Sequence, residues 1–563
     1  MKFCEMPYSR PDVDAMIAHC NELTEKFAAA QSAQEQIEIF TLLEKDKLEL
    51  FDMESIVYIR NSVDMNDEFY AAEREYLDNN LPKMSEAYNK FNKAMLESKF
   101  IDELKKEFGE HMFNCLEMEQ RSFSPAIIDL MAKDAELCTR YQTILASAQI
   151  EFDGKVLNTS QLGAYRYNSD RALRKAAMEA EGKYFEQYKE ELDEIYDKLV
   201  KIRTEIAHTL GFENFVEYSY VSKKRSYTAK DVANFRKQVK EVMVPKNIEY
   251  KKMQAERIGV GENFMFYDDA FAYPDGSPLP KYDRPELVRR AHQMYTELAP
   301  ETKELFDTMV EKELFDLDAK PGKRPGGYCA TMYGKGLPFI FANFNGTQGD
   351  VDVLTHEAGH ALASFTACKE VKYFALQDCG AESAETHSMS MEFLTTPWHH
   401  LFFGEDTAKY QESHTKGASF FIPYGVIGDY FQELVYTHPE WTPAERDKCW
   451  LDLESQFRPY LDYSEVPFNA RGATWQKLAH IYVIPFYYIE YSLAQTLSLQ
   501  FFAMFLENPE NAWAKYMEFL RYGGTMGFEE TIKACGLVSP FEEGSIEKIC
   551  APIYKWLDEK FGK

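Results

Sequence analysis

Residues 346–365 read GTQGDVDVLTHEAGHALASF, and within them His356-Glu357-Ala358-Gly359-His360 forms an HExxH. On an α-helix positions i and i+4 share a face, so both imidazoles can reach one metal ion about 2.0–2.1 Å from each nitrogen. Glu357, beside the first imidazole, can take the proton of a water activated by that ion. Thr347 or Asp350 can cap a helix that runs through Phe365, with Val353, Leu354, Ala361, Leu362 and Phe365 to bury. Gly359 costs such a helix about 0.5–1 kcal/mol relative to alanine, which predicts that another segment approaches closely there. With twelve histidines in the chain, an HExxH arises by chance in roughly a few chains per hundred. Its surroundings therefore carry the weight.

Upstream, residues 321–349 are Gly-rich and hold two apolar runs, 327–331 and 337–344, which predict short strands. The second, LPFIFANF, has the composition of a strand whose unpaired edge can take an extended peptide by main-chain hydrogen bonds. Gly326, Gly327 and Tyr328 are expected in a mobile loop that contacts that peptide. Residues 11–147 repeat apolar positions at three- and four-residue steps, the mark of amphipathic helices. Asp153-Gly154 between short apolar runs predicts a type I′ hairpin. Residues 170–320 and everything from 350 onward read as helix again. The expected fold is mostly α with a minor sheet, in three lobes of one body: 1–165 helical with the hairpin, 166–325 helical, and 326–563 carrying the motif.

Length and charge narrow the function. The chain has 563 residues and 92 Asp+Glu against 63 Lys+Arg, a formal charge of −29. Phosphate contacts need clustered Lys and Arg, so a nucleic-acid or anionic-membrane binder is disfavoured. Surface scaling lets such a chain bury about three quarters of its unfolded surface without staples. The ten cysteines are scattered with no CxxC pair, which suits reduced thiols in a cytosol. The first residues lack the apolar core of a signal sequence, and no run offers 18 uncharged apolar residues. A cytoplasmic location is expected. GKGLP and PGKRPGG miss the GxxxxGK[ST] spacing, so no phosphate loop is read.

Two imidazoles leave a catalytic zinc one protein ligand short. After a turn near 378–380, AESAETHSMSMEFL holds Glu382, Glu385 and Glu392 at helical spacing. A second helix can present one of these carboxylates to the metal and another to a ligand imidazole as hydrogen-bond acceptor, with His387 as a competitor. Further on, HIYVIPFYYIEYSLAQ places Pro485 for the first turn of a helix. Tyr488 and Tyr491 then share one face, Tyr487 lies four residues from Tyr491, and His480 precedes the break. Phe486 and Tyr482 read as aromatic core.

GTQGDVDVLTHEAGHAL, followed 25 residues after His360 by Glu385 in ETHSMSME, resembles the zinc oligopeptidase family of thimet oligopeptidase and oligoendopeptidase F, most nearly its bacterial oligoendopeptidase F and Pz-peptidase branch. The resemblance is strong over 340–500 and weak over most of the rest. It implies a zincin-like helical body with a deep central channel and one Zn²⁺ held by His356, His360 and Glu385, the first Glu of an ExxSxxxE pattern that continues through Ser388 and Glu392. Glu382 and Glu392 then stand behind the ligands. It also implies a strand edge beside the metal near Ala342, Asn343 and Phe344. For His480, Tyr488 and Tyr491 it implies substrate binding or transition-state stabilisation, with Tyr487 in contention.

The expected activity is cleavage of internal bonds in short peptides, with Glu357 as general base. A metallocarboxypeptidase of related fold shares the HExxH but needs a subsite for the terminal carboxylate. A non-catalytic peptide-binding scaffold has no use for Glu357. A purely structural zinc requires a closed fourth ligand such as His387.

Overall fold

Asp12, Ser32 and Asp67 start three long helices, Val13–Ala29, Ala33–Val63 and Glu68–Leu96, each accepting a backbone N–H two or three residues on. Their apolar stripes meet in a core of Leu23, Phe27, Phe40, Leu43, Met84 and Phe91 that also takes in Ala367, Val371 and Tyr373. The far end of the HExxH segment is thus anchored in the N-terminal helices, with Phe40 edge-on to Tyr373 at 5.7 Å.

The computed structural model describes residues 1–562 and is mostly helical with two small sheets. It divides into two units, each assembled from three separated stretches. Met1–Gln120, Pro278–Ala408 and Leu497–Leu537 form the first, and Arg121–Ser277, Lys409–Thr496 and Val538–Lys563 the second. These units differ from the consecutive segments 1–165, 166–325 and 326–563, because long-range packing joins distant stretches and no change of composition marks the crossings. Among the described residues no helix is long and apolar enough to cross a membrane, and the ten cysteines are free.

In the second unit, β1 (Ile150–Phe152) and β2 (Lys155–Leu157) pair antiparallel across Asp153 and Gly154, both left-handed at φ 52° and 71°, the turn that the Asp-Gly pair predicts. The first unit holds the other sheet. Here β5 (Leu337–Phe344) lies between β3 (Phe315–Asp318), parallel to it, and β4 (Tyr328–Met332), antiparallel. β5 is therefore a central strand, which corrects the expected free edge at Ala342, Asn343 and Phe344. Phe344 pairs with Asp318, the Ala342 carbonyl accepts from Lys323, and the Asn343 amide donates to the carbonyls of Arg324 and Gly326 at 2.9 and 2.8 Å. β3 is short and follows a charged helix directly, so its apolar signal is lost in the helical pattern. The edge strands are β3 and β4, each covered by β5 on one side only, and the first residue of β4 is Tyr328.

Candidate active site

The HExxH lies on a helix, Gly349–Glu370, packed against β5 and β4. Neither residue expected to cap it does so. Gln348 occupies the cap without a side-chain bond, and Asp350 reaches back to accept the backbone N–H of Asn345 and of Gly346, both at 2.9 Å. That contact fixes the turn between β5 and the motif helix. A second helix, Ala381–Leu394, carries Glu382, Glu385, His387 and Glu392.

Gly359 is where the two helices meet. A Cβ there would stand 2.6 Å from both the His387 carbonyl oxygen and the Ser388 Cα. These are backbone atoms that no rotamer change can move, so the intrinsic cost of glycine in a helix is offset by close packing. Gly359→Ala is expected to destabilise the fold by about 1–3 kcal/mol. Gly417→Ala, at a helical position with nothing within 4 Å, is expected to stabilise it by about 0.4–1 kcal/mol. Paired denaturant titrations check both, and equal midpoints would contradict the packing account.

The close approach brings three donors together. His356 Nε2 lies 3.4 Å, and His360 Nε2 4.0 Å, from the same Glu385 oxygen. The two imidazoles are 5.0 Å apart and nearly perpendicular. Among the described residues, His356, His360 and Glu385 are the group whose ligand atoms all fall within 4.8 Å of one another. Ligands on a tetrahedral zinc are about 3.3 Å apart, so a small contraction suffices, and two imidazoles with one carboxylate suit that ion. Behind the donors, His356 Nδ1 is 2.7 Å from Glu392 Oε1, which makes Nδ1 the protonated nitrogen and leaves the Nε2 lone pair facing the cluster. Ser388 donates its hydroxyl to the Glu385 backbone carbonyl at 3.0 Å. Glu382 sits in the first turn with its carboxylate turned toward Gly380 and Cys379. His387 is buried edge-on to Phe519 at 5.5 Å and lies outside the donor group.

Glu357 is buried beside the cluster without belonging to it. Burial pushes its carboxyl up to about 7; the neighbouring His356 opposes the shift and Glu385 adds to it. The backbone of Cys329 on β4 counters the upward shift, and Gly327 lies close by, its missing Cβ 3.8 Å from Glu357 Oε1. Burial and the neighbouring His356 take His360 down to about 4. For His356 burial acts downward too, but Glu385 and Glu392 outweigh it and hold the imidazole well above its ordinary value. A buried carboxylate beside the donor group suits a general base.

In the second unit His480, Tyr487, Tyr488 and Tyr491 form a cluster of their own. His480 stacks on Tyr487 at 5.6 Å and meets Tyr488 and Tyr491 edge-on at 5.1 and 6.1 Å. Pro485 does not open the helix as expected. The helix begins at Tyr488, because Phe486 between them adopts a left-handed φ of 63°. That turn, strained for a non-glycine residue, is held at both backbone groups: the Phe486 N–H donates to Gln432 Oε1 at 2.9 Å and its carbonyl accepts from Arg225. Arg225 also pairs with Glu490 at 2.8 Å, and the Lys223 ammonium stands 5.2 Å over the Tyr487 ring. Gly428 leaves room for the Tyr488 ring, two of whose atoms would lie 3.0 and 3.1 Å from a Cβ. Arg225, Gln432 and Gly428 are far from this segment in sequence, so spacing could not reveal them.

With this geometry in hand, comparison with known proteins is decisive. The peptidase M3 N-terminal domain matches residues 3–123, and peptidase family M3 matches residues 164–550. The chain belongs to peptidase family M3. A solved structure of PZ peptidase A with an inhibitor superposes on it with a TM-score of 0.91 at 41% identity, covering 99% of each chain. Oligopeptidase PepF of Bacillus subtilis is 22% identical over 411 residues, 70% of this chain and 58% of its own length. An oligoendopeptidase F homolog of Borreliella burgdorferi is 24% identical over 421 residues, 70% and 68% of the two chains. The match thus spans little more than half of PepF. Within family M3 these relatives put the chain in the oligoendopeptidase F branch, and the His356, His360 and Glu385 group could hold a metal ion.

Proposed function

We propose that the protein is a zinc metallo-endopeptidase of the cytosol that hydrolyses internal bonds of oligopeptides with Glu357 as general base. The observation that carries this reading is the N₂O donor group with a separate, buried carboxylate beside it. His356, His360 and Glu385 would hold the ion. Zinc, when bound, supplies Lewis acidity, which polarises a carbonyl and brings the pKa of water toward neutrality. Glu357 accepts the proton of the attacking water and passes it to the leaving nitrogen. Glu392 fixes the His356 tautomer throughout. The cytosolic location is supported by ten free cysteines without a close-spaced pair.

His480, Tyr488 and Tyr491, with Tyr487 beside them, are proposed to donate hydrogen bonds to the developing oxyanion, a role that rests on the family resemblance. Removing one such donor is expected to lower kcat by about 10²–10³ with little change in KM. Steady-state kinetics of His480→Ala, Tyr488→Phe and Tyr491→Phe checks this, and kcat unchanged in all three would remove the assignment.

The whole reading is tested by mass spectrometry of a peptide library digested with and without a chelator. Chelator-sensitive cuts inside peptides with both ends blocked are expected. Cleavage confined to free carboxyl ends would instead favour a metallocarboxypeptidase, and binding without any cut a scaffold.

A further inference from the structure

The second unit encloses a cavity of about 550 Å³, inside the range of roughly 300–1,000 Å³ typical of ligand sites, and its walls are charged. Arg166, Glu181, Asp269, Glu454, Arg458 and Lys477 all line it. Most of these charges are matched. Arg458 forks onto Glu454 at 2.8 and 3.0 Å and donates to the Tyr463 hydroxyl at 2.6 Å. Asp269 is paired with Lys251 behind the wall at 2.6 Å. Glu181 is different, because two cations share it: Lys477 binds it closely, while Arg166 reaches it only at 3.3 and 3.4 Å through one nitrogen. The Arg166 Nε is buried with no hydrogen-bond partner at all. Three cations and three carboxylates thus line the cavity, and Arg166 is the lining cation with a buried donor left over.

The spare donor has an address. Tyr424, on the same wall, packs edge-on against Tyr488 at 5.9 Å, and Leu478, also on the wall, is two residues from His480. The cavity therefore adjoins the side chains proposed to act on the scissile carbonyl. A buried guanidinium nitrogen without a partner is costly, and a carboxylate is the peptide group that satisfies it by a charge-assisted bond.

We propose that this chamber is a substrate subsite in which Arg166, with Lys477, binds a carboxylate of the peptide being cut, at its free C-terminus or on an acidic side chain. This rests on the endopeptidase reading and adds a specificity to it. The test compares three hexapeptides of one sequence on the zinc-loaded protein: a free acid, its C-terminal amide, and an amide ending in glutamate. Discrimination for a carboxylate is expected as a kcat/KM at least about tenfold higher for the free acid than for the plain amide. Recovery of that rate by the glutamate amide would assign the chamber to a side-chain carboxylate. In Arg166→Met, a change at a partly exposed side chain, the acid-to-amide ratio is expected to fall to within about threefold of one. Equal rates for all three peptides in the parent protein, or a ratio unchanged in Arg166→Met, would overturn the subsite while leaving the peptidase reading standing. Cleavage of none would remove both.

Discussion

Glu357→Gln is expected to keep its metal and lose at least about 10²-fold in kcat, since proton transfer by a positioned side chain contributes about 10²–10⁴. The substitution preserves the shape of the buried side chain. It removes the one thing glutamine cannot do, which is to take up a proton. Because Glu357 stands apart from the donor group, metal content is expected to stay at the parent level. Turnover of a fluorogenic peptide with metal analysis of the same sample decides the matter. Wild-type turnover in the variant would sink the role of general base.

Glu385→Ala carries the second large effect, on metal retention. It deletes the oxygen that both imidazoles face at 3.4 and 4.0 Å. Two imidazoles without a carboxylate are an incomplete zinc site. Glu392→Gln removes the charge from the acceptor 2.7 Å from His356 Nδ1, and loss of such an outer partner costs about 10–100-fold in affinity. Glu382→Ala, whose carboxylate turns toward Gly380 and Cys379, is expected to cost least. Competitive metal titration should rank the losses in the order 385, 392, 382. Equal affinities at 385 and 382 would mean that the third ligand is misassigned.

Much of the site was legible because its signals are local. HExxH needs only the i, i+4 geometry of one helix, and Gly359 within it announced the neighbour that the structure places 2.6 Å from a Cβ. The Asp153-Gly154 hairpin was equally local. What sequence alone missed is long-range. Whether LPFIFANF is an edge or a central strand depends on β3 and β4, which its own residues cannot specify. Asp350 looked like a cap, but two unpaired N–H groups just before the helix claimed it. Phe486 gave no hint of a left-handed turn, since phenylalanine rarely adopts one; Gln432 on a helix and Arg225 in a loop, both distant in sequence, impose it. The two units were invisible for the same reason, each being built from three stretches.

X-ray absorption at the zinc edge, on protein loaded with one equivalent of zinc, probes the centre most directly, with Glu385→Ala as reference. The expected spectrum is a four-coordinate ion with two imidazole nitrogens, one carboxylate oxygen and one solvent oxygen, the carboxylate contribution disappearing in the variant. A sphere filled entirely by protein atoms, or a spectrum unaltered by loss of Glu385, would contradict the account.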